Sequence, residues 1–141
     1  DIGASGDIHP RNKKDVGERL ARWALVNEHG RKDVVISGPL FRSFKVEGGG
    51  IRISFDHAEG LKTRDGKKPG RFEVAGEDQV WHWGEAVIDG ETVRVSNDKV
   101  PSPVAVRYAW ASNPEGANLV NAAGLPASLF RTDHWKLSTE R

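Results

Sequence analysis

The chain has 141 residues, with 21 basic and 20 acidic side chains, a net charge of +1 and 37% hydrophobic residues. That near-balance of charge excludes the basic footprint of a nucleic-acid-binding protein, and the length allows one or at most two small domains, able to bury roughly two-thirds of their unfolded surface. The lack of cysteine excludes disulfides and thiolate metal sites, and no apolar run approaches a membrane span or a signal peptide. Methionine is also missing, so the chain is expected to be a piece whose upstream segment lies elsewhere.

Asp7-Ile8-His9-Pro10 opens the chain with a carboxylate and an imidazole close together, just ahead of a helical pattern. Asn12 is placed to cap that helix, with Asp15 three positions on as a short form of the capping box. Val16, Leu20, Trp23 and Ala24 then fall at i, i+4, i+7 and i+8, one apolar face. Gly30 is the expected terminator. Gly17 costs about 1 kcal/mol relative to alanine inside a helix, so close packing against another element is its expected use. One amphipathic helix cannot bury its stripe alone, and part of its partner is expected to be missing.

From Asp33 the period changes to two. Val34-Val35-Ile36 is short and apolar; Phe44 and Val46 alternate, as do Ile51, Ile53 and Phe55, and Phe72 and Val74. Ala86-Val87-Ile88, Asp89-Gly90 and Thr92-Val93-Arg94-Val95 read as a hairpin, with Asp-Gly suiting a type I′ turn. Val104 to Trp110 is another strand, with Val104, Val106 and Tyr108 on one face. A long irregular tail follows from Asn113. The expected fold class is mainly β: an N-terminal helix followed by an antiparallel β-sandwich.

His9 and Asp7 are the candidate catalytic residues. A neutral imidazole titrates near neutrality, as a general base must, and an adjacent carboxylate can hold its tautomer. No serine sits in a nucleophile elbow, so the pair reads as half of a hydrolase site. The other candidates have plainer readings. Trp81-His82-Trp83 would place both indoles on one strand face, expected to pack in the core or against a missing domain, with sugar stacking as the alternative. Lys62, Arg64, Lys67, Lys68 and Arg71 read as a solvated hairpin tip, or else as an attractor for an acidic sugar. Arg107, and Arg131 with Asp133, are expected to form structural ion pairs that pin the tail to a strand. His29, His57, His82 and His134 have no metal-ligand spacing, and Gly48-Gly49-Gly50 reads as a turn.

Asp1-Ile2-Gly3, Asp7-Ile8-His9-Pro10-Arg11-Asn12-Lys13 and Val16-Gly17-Glu18-Arg19-Leu20-Ala21 resemble the end of the catalytic domain of sialate O-acetylesterases, serine esterases of the SGNH type. The resemblance continues through Gly38-Pro39, Phe72-Glu73-Val74-Ala75-Gly76 and Val104-Ala105-Val106-Arg107-Tyr108-Ala109-Trp110, and ends with Gly124-Leu125-Pro126-Ala127 and Phe130-Arg131-Thr132-Asp133. It implies an enzyme that removes O-acetyl groups from sugars, with a flavodoxin-like α/β catalytic domain and appended β domains. Residues 1–30 would be the end of that catalytic domain, and residues 31–141 a C-terminal β-sandwich. His9 would be the base and Asp7 the orienting acid of a Ser-His-Asp mechanism. Gly6 stands where the wider superfamily places its acid, three residues before the histidine, so Asp1 or an acid outside the chain are alternatives to Asp7. The implied partners are an acetylated carbohydrate and an upstream catalytic segment carrying the serine; no cofactor is implied. The chain alone is expected to be inactive, and a secreted or periplasmic location would suit a glycan substrate. The alternative from another class is a non-catalytic β-sandwich module for carbohydrate binding or protein contact.

Overall fold

The structure, a computed structural model, describes residues 1–137. Helix α1 (Lys13–Asn27) begins where the sequence predicts: Asn12 Oδ1 accepts the Asp15 N–H at 3.1 Å, and Asp15 Oδ2 accepts from Asn12 Nδ2 at 2.9 Å. Beyond its end Gly30 turns the chain at φ 63°, and Arg31 N–H reaches back to Leu25 O at 3.0 Å. No residue of α1 is buried. Val16, Leu20 and Trp23 are exposed by 38%, 67% and 49%, so the predicted apolar stripe faces outward. A Cβ added at Gly17 would meet nothing within 4 Å, so the close packing expected there is absent among the described residues.

Residues 34–36 do not form a strand, and the chain runs irregularly until β1 (Leu40–Glu47). β1 forms a hairpin with β2 (Gly50–Asp56), and Glu47 pairs with Gly50. The two turn residues, Gly48 and Gly49, have φ 47° and 75°, so the turn with positive φ at both centres lies here. The other hairpin joins β6 (Glu85–Asp89) to β7 (Thr92–Ser96), as the sequence predicts. Its turn differs from the expected one. Asp89 pairs with Thr92, leaving Gly90 and Glu91 at the centre, and only Gly90 has positive φ (59°). A glycine at the first central position is the II′ placement. These four strands form one antiparallel sheet in the order β1-β2-β7-β6.

A second antiparallel sheet has the order β10-β8-β4-β5, built from β4 (Phe72–Ala75), β5 (Trp81–Trp83), β8 (Ala105–Tyr108) and β10 (Phe130–Arg131). The chain passes from this sheet to the first at Gly84, between β5 and β6. A side chain there would bring Cβ to 2.2 Å from Val95 Cγ1, so only glycine fits the crossing. The inner faces share one core: Ile51, Ile53, Phe55, Val93 and Val95 from the first sheet, Phe72, Val74, Val106, Tyr108 and Phe130 from the second. Aromatic rings bridge the layers, with Phe41 stacked on Phe130 at 4.8 Å. Strand alternation therefore sorts the side chains as predicted for β2 and β4, and for Val106 and Tyr108 of β8. Phe44 and Val46 pair with Ile53 and Ile51 and so share their face, yet β1 is an edge strand and both stay exposed.

Two buried asparagines organise the tail. β3 (Lys62–Thr63) pairs with β9 (Leu119–Val120). Next to that pair, Asn118 donates to Asp65 Oδ1 at 2.9 Å and Lys68 O at 3.1 Å, and accepts from Gly70 N–H at 3.0 Å. Its bond is the largest of the effects that hold the Asp65 carboxyl below the usual range. Asn121 donates to Ser37 O and His57 O and accepts from Leu125 N–H. Buried amides so fully satisfied fix irregular backbone as firmly as a ladder would. The expected ion pairs form. Arg131, in β10, pairs with Asp133 just beyond it, as predicted, and Arg107 of β8 takes Glu73 of the neighbouring β4 as its partner, so that pair links two strands and not the tail. Among the described residues no helix is long and apolar enough to cross a membrane.

Candidate functional site

Asp7 and His9 lie in the turn that leads into α1. His9 Nδ1 is 3.3 Å from Asp7 Oδ1, and the His9 backbone N–H donates to the same oxygen at 2.8 Å. One carboxylate therefore shapes the turn and sits beside the imidazole. Its position at Nδ1 leaves Nε2 as the other ring nitrogen, the one a base would present to a substrate. The two side chains are exposed by 81% and 51%, and Ile8 between them by 90%. Nothing among residues 1–137 covers this pair.

Asp1, the alternative acid, is engaged otherwise. Its carboxylate receives both Arg19 guanidinium nitrogens, at 2.8 and 2.9 Å, and Arg64 Nη1 at 3.5 Å. Arg19 belongs to α1 and Arg64 follows β3, so Asp1 joins the helix to the β layers. Arg22 Nη1 adds a bond to Val35 O at 3.2 Å. The helix is attached by polar contacts at its base while its apolar stripe stays free. Arg64 is exposed like Lys62, Lys67 and Lys68, and it differs from them in reaching the Asp1 carboxylate and the Ala117 carbonyl.

Trp81 and Trp83 do not enter the core. They pair with Ala75 and Glu73, whereas His82 pairs with the buried Val74, so both indoles lie on the outer face of the second sheet. Arg107, fork-bonded to Glu73 at 2.8 and 2.9 Å, lies over the Trp81 ring at 4.2 Å. Arg131 stands over Trp110 at 5.5 Å and Arg71 over Trp83 at 5.3 Å. Trp135 reaches Trp81 with ring centroids 5.4 Å apart. Four of the five tryptophans thus share one face. The membership of Trp135 and Arg71 was missed by the sequence reading. The available signal was the alternation that turns Val74 and Val106 inward and hence Glu73 and Arg107 outward. Among the described residues no three His, Asp or Glu side chains cluster closely enough to hold a metal ion.

No family model matches the chain. It is 28% identical to the sialate O-acetylesterase of Mus musculus over 116 residues, which is 77% of this chain and 21% of that protein. It is 46% identical to a solved structure described as a carbohydrate acetylesterase from Xanthomonas citri, with a TM-score of 0.92 over 96% of this chain and 31% of that one. The chain therefore spans between about a fifth and a third of the relatives it matches. Over that length it is similar to a C-terminal portion of the sialate O-acetylesterase family of carbohydrate acetylesterases.

Proposed function

We propose that this chain is the C-terminal part of a carbohydrate O-acetylesterase and contributes the base of its catalytic triad. Residues 1–30 then close the catalytic domain and residues 31–141 form the β-sandwich that follows it. A serine outside this chain attacks the acetyl carbonyl, and His9 Nε2 takes its proton. The imidazolium returns that proton to the departing sugar hydroxyl, and water, activated by the same ring, releases acetate from the acyl-enzyme. Asp7 holds the ring through Nδ1 and stabilises its charged form. The observation that carries this reading is the Asp7–His9 pair itself, 3.3 Å apart and open to solvent on a chain so similar to carbohydrate acetylesterases. The free stripe of Val16, Leu20 and Trp23 supports the second half of the proposal, that α1 packs against the segment carrying the serine.

The test is an acetyl-ester assay on the complete esterase and on this chain alone. His9→Ala in the complete enzyme is expected to lower turnover by about 10²–10⁴-fold with the fold intact, the usual contribution of a general base. An unchanged rate would move the base elsewhere. The 141 residues alone are expected to show no turnover, since a base without a nucleophile and oxyanion hole has nothing to activate; measurable hydrolysis by them would place the nucleophile inside the chain.

A further inference from the structure

We propose that the outer face of the second sheet is a carbohydrate-binding site separate from the Asp7–His9 pair. The choice of ligand rests on the esterase reading above; the site itself rests on its own geometry. Between Trp81, Trp110 and Trp135 lies a pocket of about 310 Å³, with Lys136 and Gln79 also in its lining. That volume is near the lower end of small-ligand sites, which start at roughly 300 Å³. The lining pairs indole rings with charged and amide groups and has little aliphatic surface. An apolar ligand would leave those polar groups unmatched, whereas a pyranose offers C–H faces to the rings and hydroxyls to everything else.

The rings are held before any ligand arrives. Arg107 is fixed by its fork to Glu73 while it lies over Trp81, and Arg131 is fixed by Asp133 while it stands over Trp110. A ligand thus meets side chains whose freedom is already spent, which lowers the cost of binding. The Asp133 carboxylate is almost wholly buried, and its Oδ1 has no hydrogen-bond partner among the described residues. Trp83, next along the strand and 58% exposed, extends the face beyond the pocket and suits a second ring of an oligosaccharide. Both guanidiniums of the pocket are paired with carboxylates, so among the described lining residues Lys136 is the cation that would meet a carboxylated sugar in the pocket, while Arg71, bonded to the Glu115 backbone carbonyl, adds a second positive charge beside Trp83.

The five indole N–H resonances of the 141-residue chain provide the measurement, with Trp23 on α1 as internal control. The probes are a neutral xylo-oligosaccharide and, separately, a free sialic acid. Saturable shifts are expected at Trp81, Trp83 and Trp135 with Trp23 unmoved. Trp135→Ala and Trp83→Ala, each checked for fold by circular dichroism, should weaken binding by at least about tenfold. Binding of the acidic probe that Lys136→Gln weakens identifies a carboxylated ligand; binding of the neutral probe that Lys136→Gln leaves intact identifies a neutral glycan. The absence of shifts with both probes overturns the proposal. So do shifts produced by the catalytic segment instead of sugar, which would make this a protein-docking face. None of these readings involves ester turnover: an enzyme that keeps its His9-dependent activity while its β layers bind no sugar refutes this site alone, and sugar binding with a dispensable His9 refutes the triad reading alone.

Discussion

Helix α1 and strand β2 carry similar apolar patterns and meet opposite fates. Ile51, Ile53 and Phe55 are almost completely buried between two sheets, while Val16, Leu20 and Trp23 look outward from a helix with no buried residue. The strand's partners are encoded in the same chain, through the pairing with β1 and β7 and the opposing face of β4 and β8. The helix is held at its base by Arg19 on Asp1 and Arg22 on Val35 O. An amphipathic pattern records that a surface must be covered, and it does not record by what. The β layers therefore read as a self-sufficient unit, and the first thirty residues as a half-interface.

The largest expected difference comes from cutting side chains on the two sides of this contrast. Ile53→Ala should cost about 2–5 kcal/mol, because the cavity it leaves lies between two close-packed sheets. Denaturant unfolding measures it, and a loss below 1 kcal/mol would mean the core is looser than its burial implies. A smaller effect should appear with pH. Burial raises the pKa of the Tyr108 hydroxyl above 10.0, opposed by the Leu119 N–H and by Arg64. Folding thus favours the protonated phenol, so its contribution is complete below pH 10 and is lost as pH rises through the raised folded value. Tyr108 is the only tyrosine, so tyrosinate absorbance follows it alone and should appear later in the folded chain than in urea. Coincident titrations would show that the hydroxyl is open to water. The smallest effect is expected for Leu20→Ala, within about 0.5 kcal/mol in this chain, as for other exposed sites. The same substitution in the complete protein proposed above should cost more, by the packing it loses there. Equal effects in both would mean that the stripe has no partner, and would dissolve the comparison.

Much of the β architecture was legible because it rests on alternation. Phe72 and Val74 face the core because consecutive strand residues point opposite ways, and Thr92 to Val95 pair with β6 across a turn only two residues long. The errors came where neighbours in sequence do not decide. Val34-Val35-Ile36 has the composition of a strand and no strand beside it. Phe44 and Val46 have the right period on an edge, where half their cover is absent. The turn at Asp89-Gly90 shifted by one residue because strand register, fixed by Val93 and Val95 entering the core, assigned Asp89 to a ladder pair. At the candidate site, the nearness of Asp7 to His9 follows from a two-residue spacing, whereas the capture of Asp1 by Arg64 spans 63 positions and left no local sign.

The sequence by itself determined the helix start at Asn12, the inward faces of β2, β4 and β8, and the proximity of Asp7 to His9. Each depends on bonds and sterics within a few residues, where backbone geometry leaves few choices. Only the tertiary structure decided that the chain must change sheets at Gly84, that Asn118 and Asn121 hold the tail, and that four indoles gather with three guanidiniums on one outer face. Those outcomes join residues tens of positions apart, and what fixes them is the packing of two sheets on a shared core, which no local pattern contains.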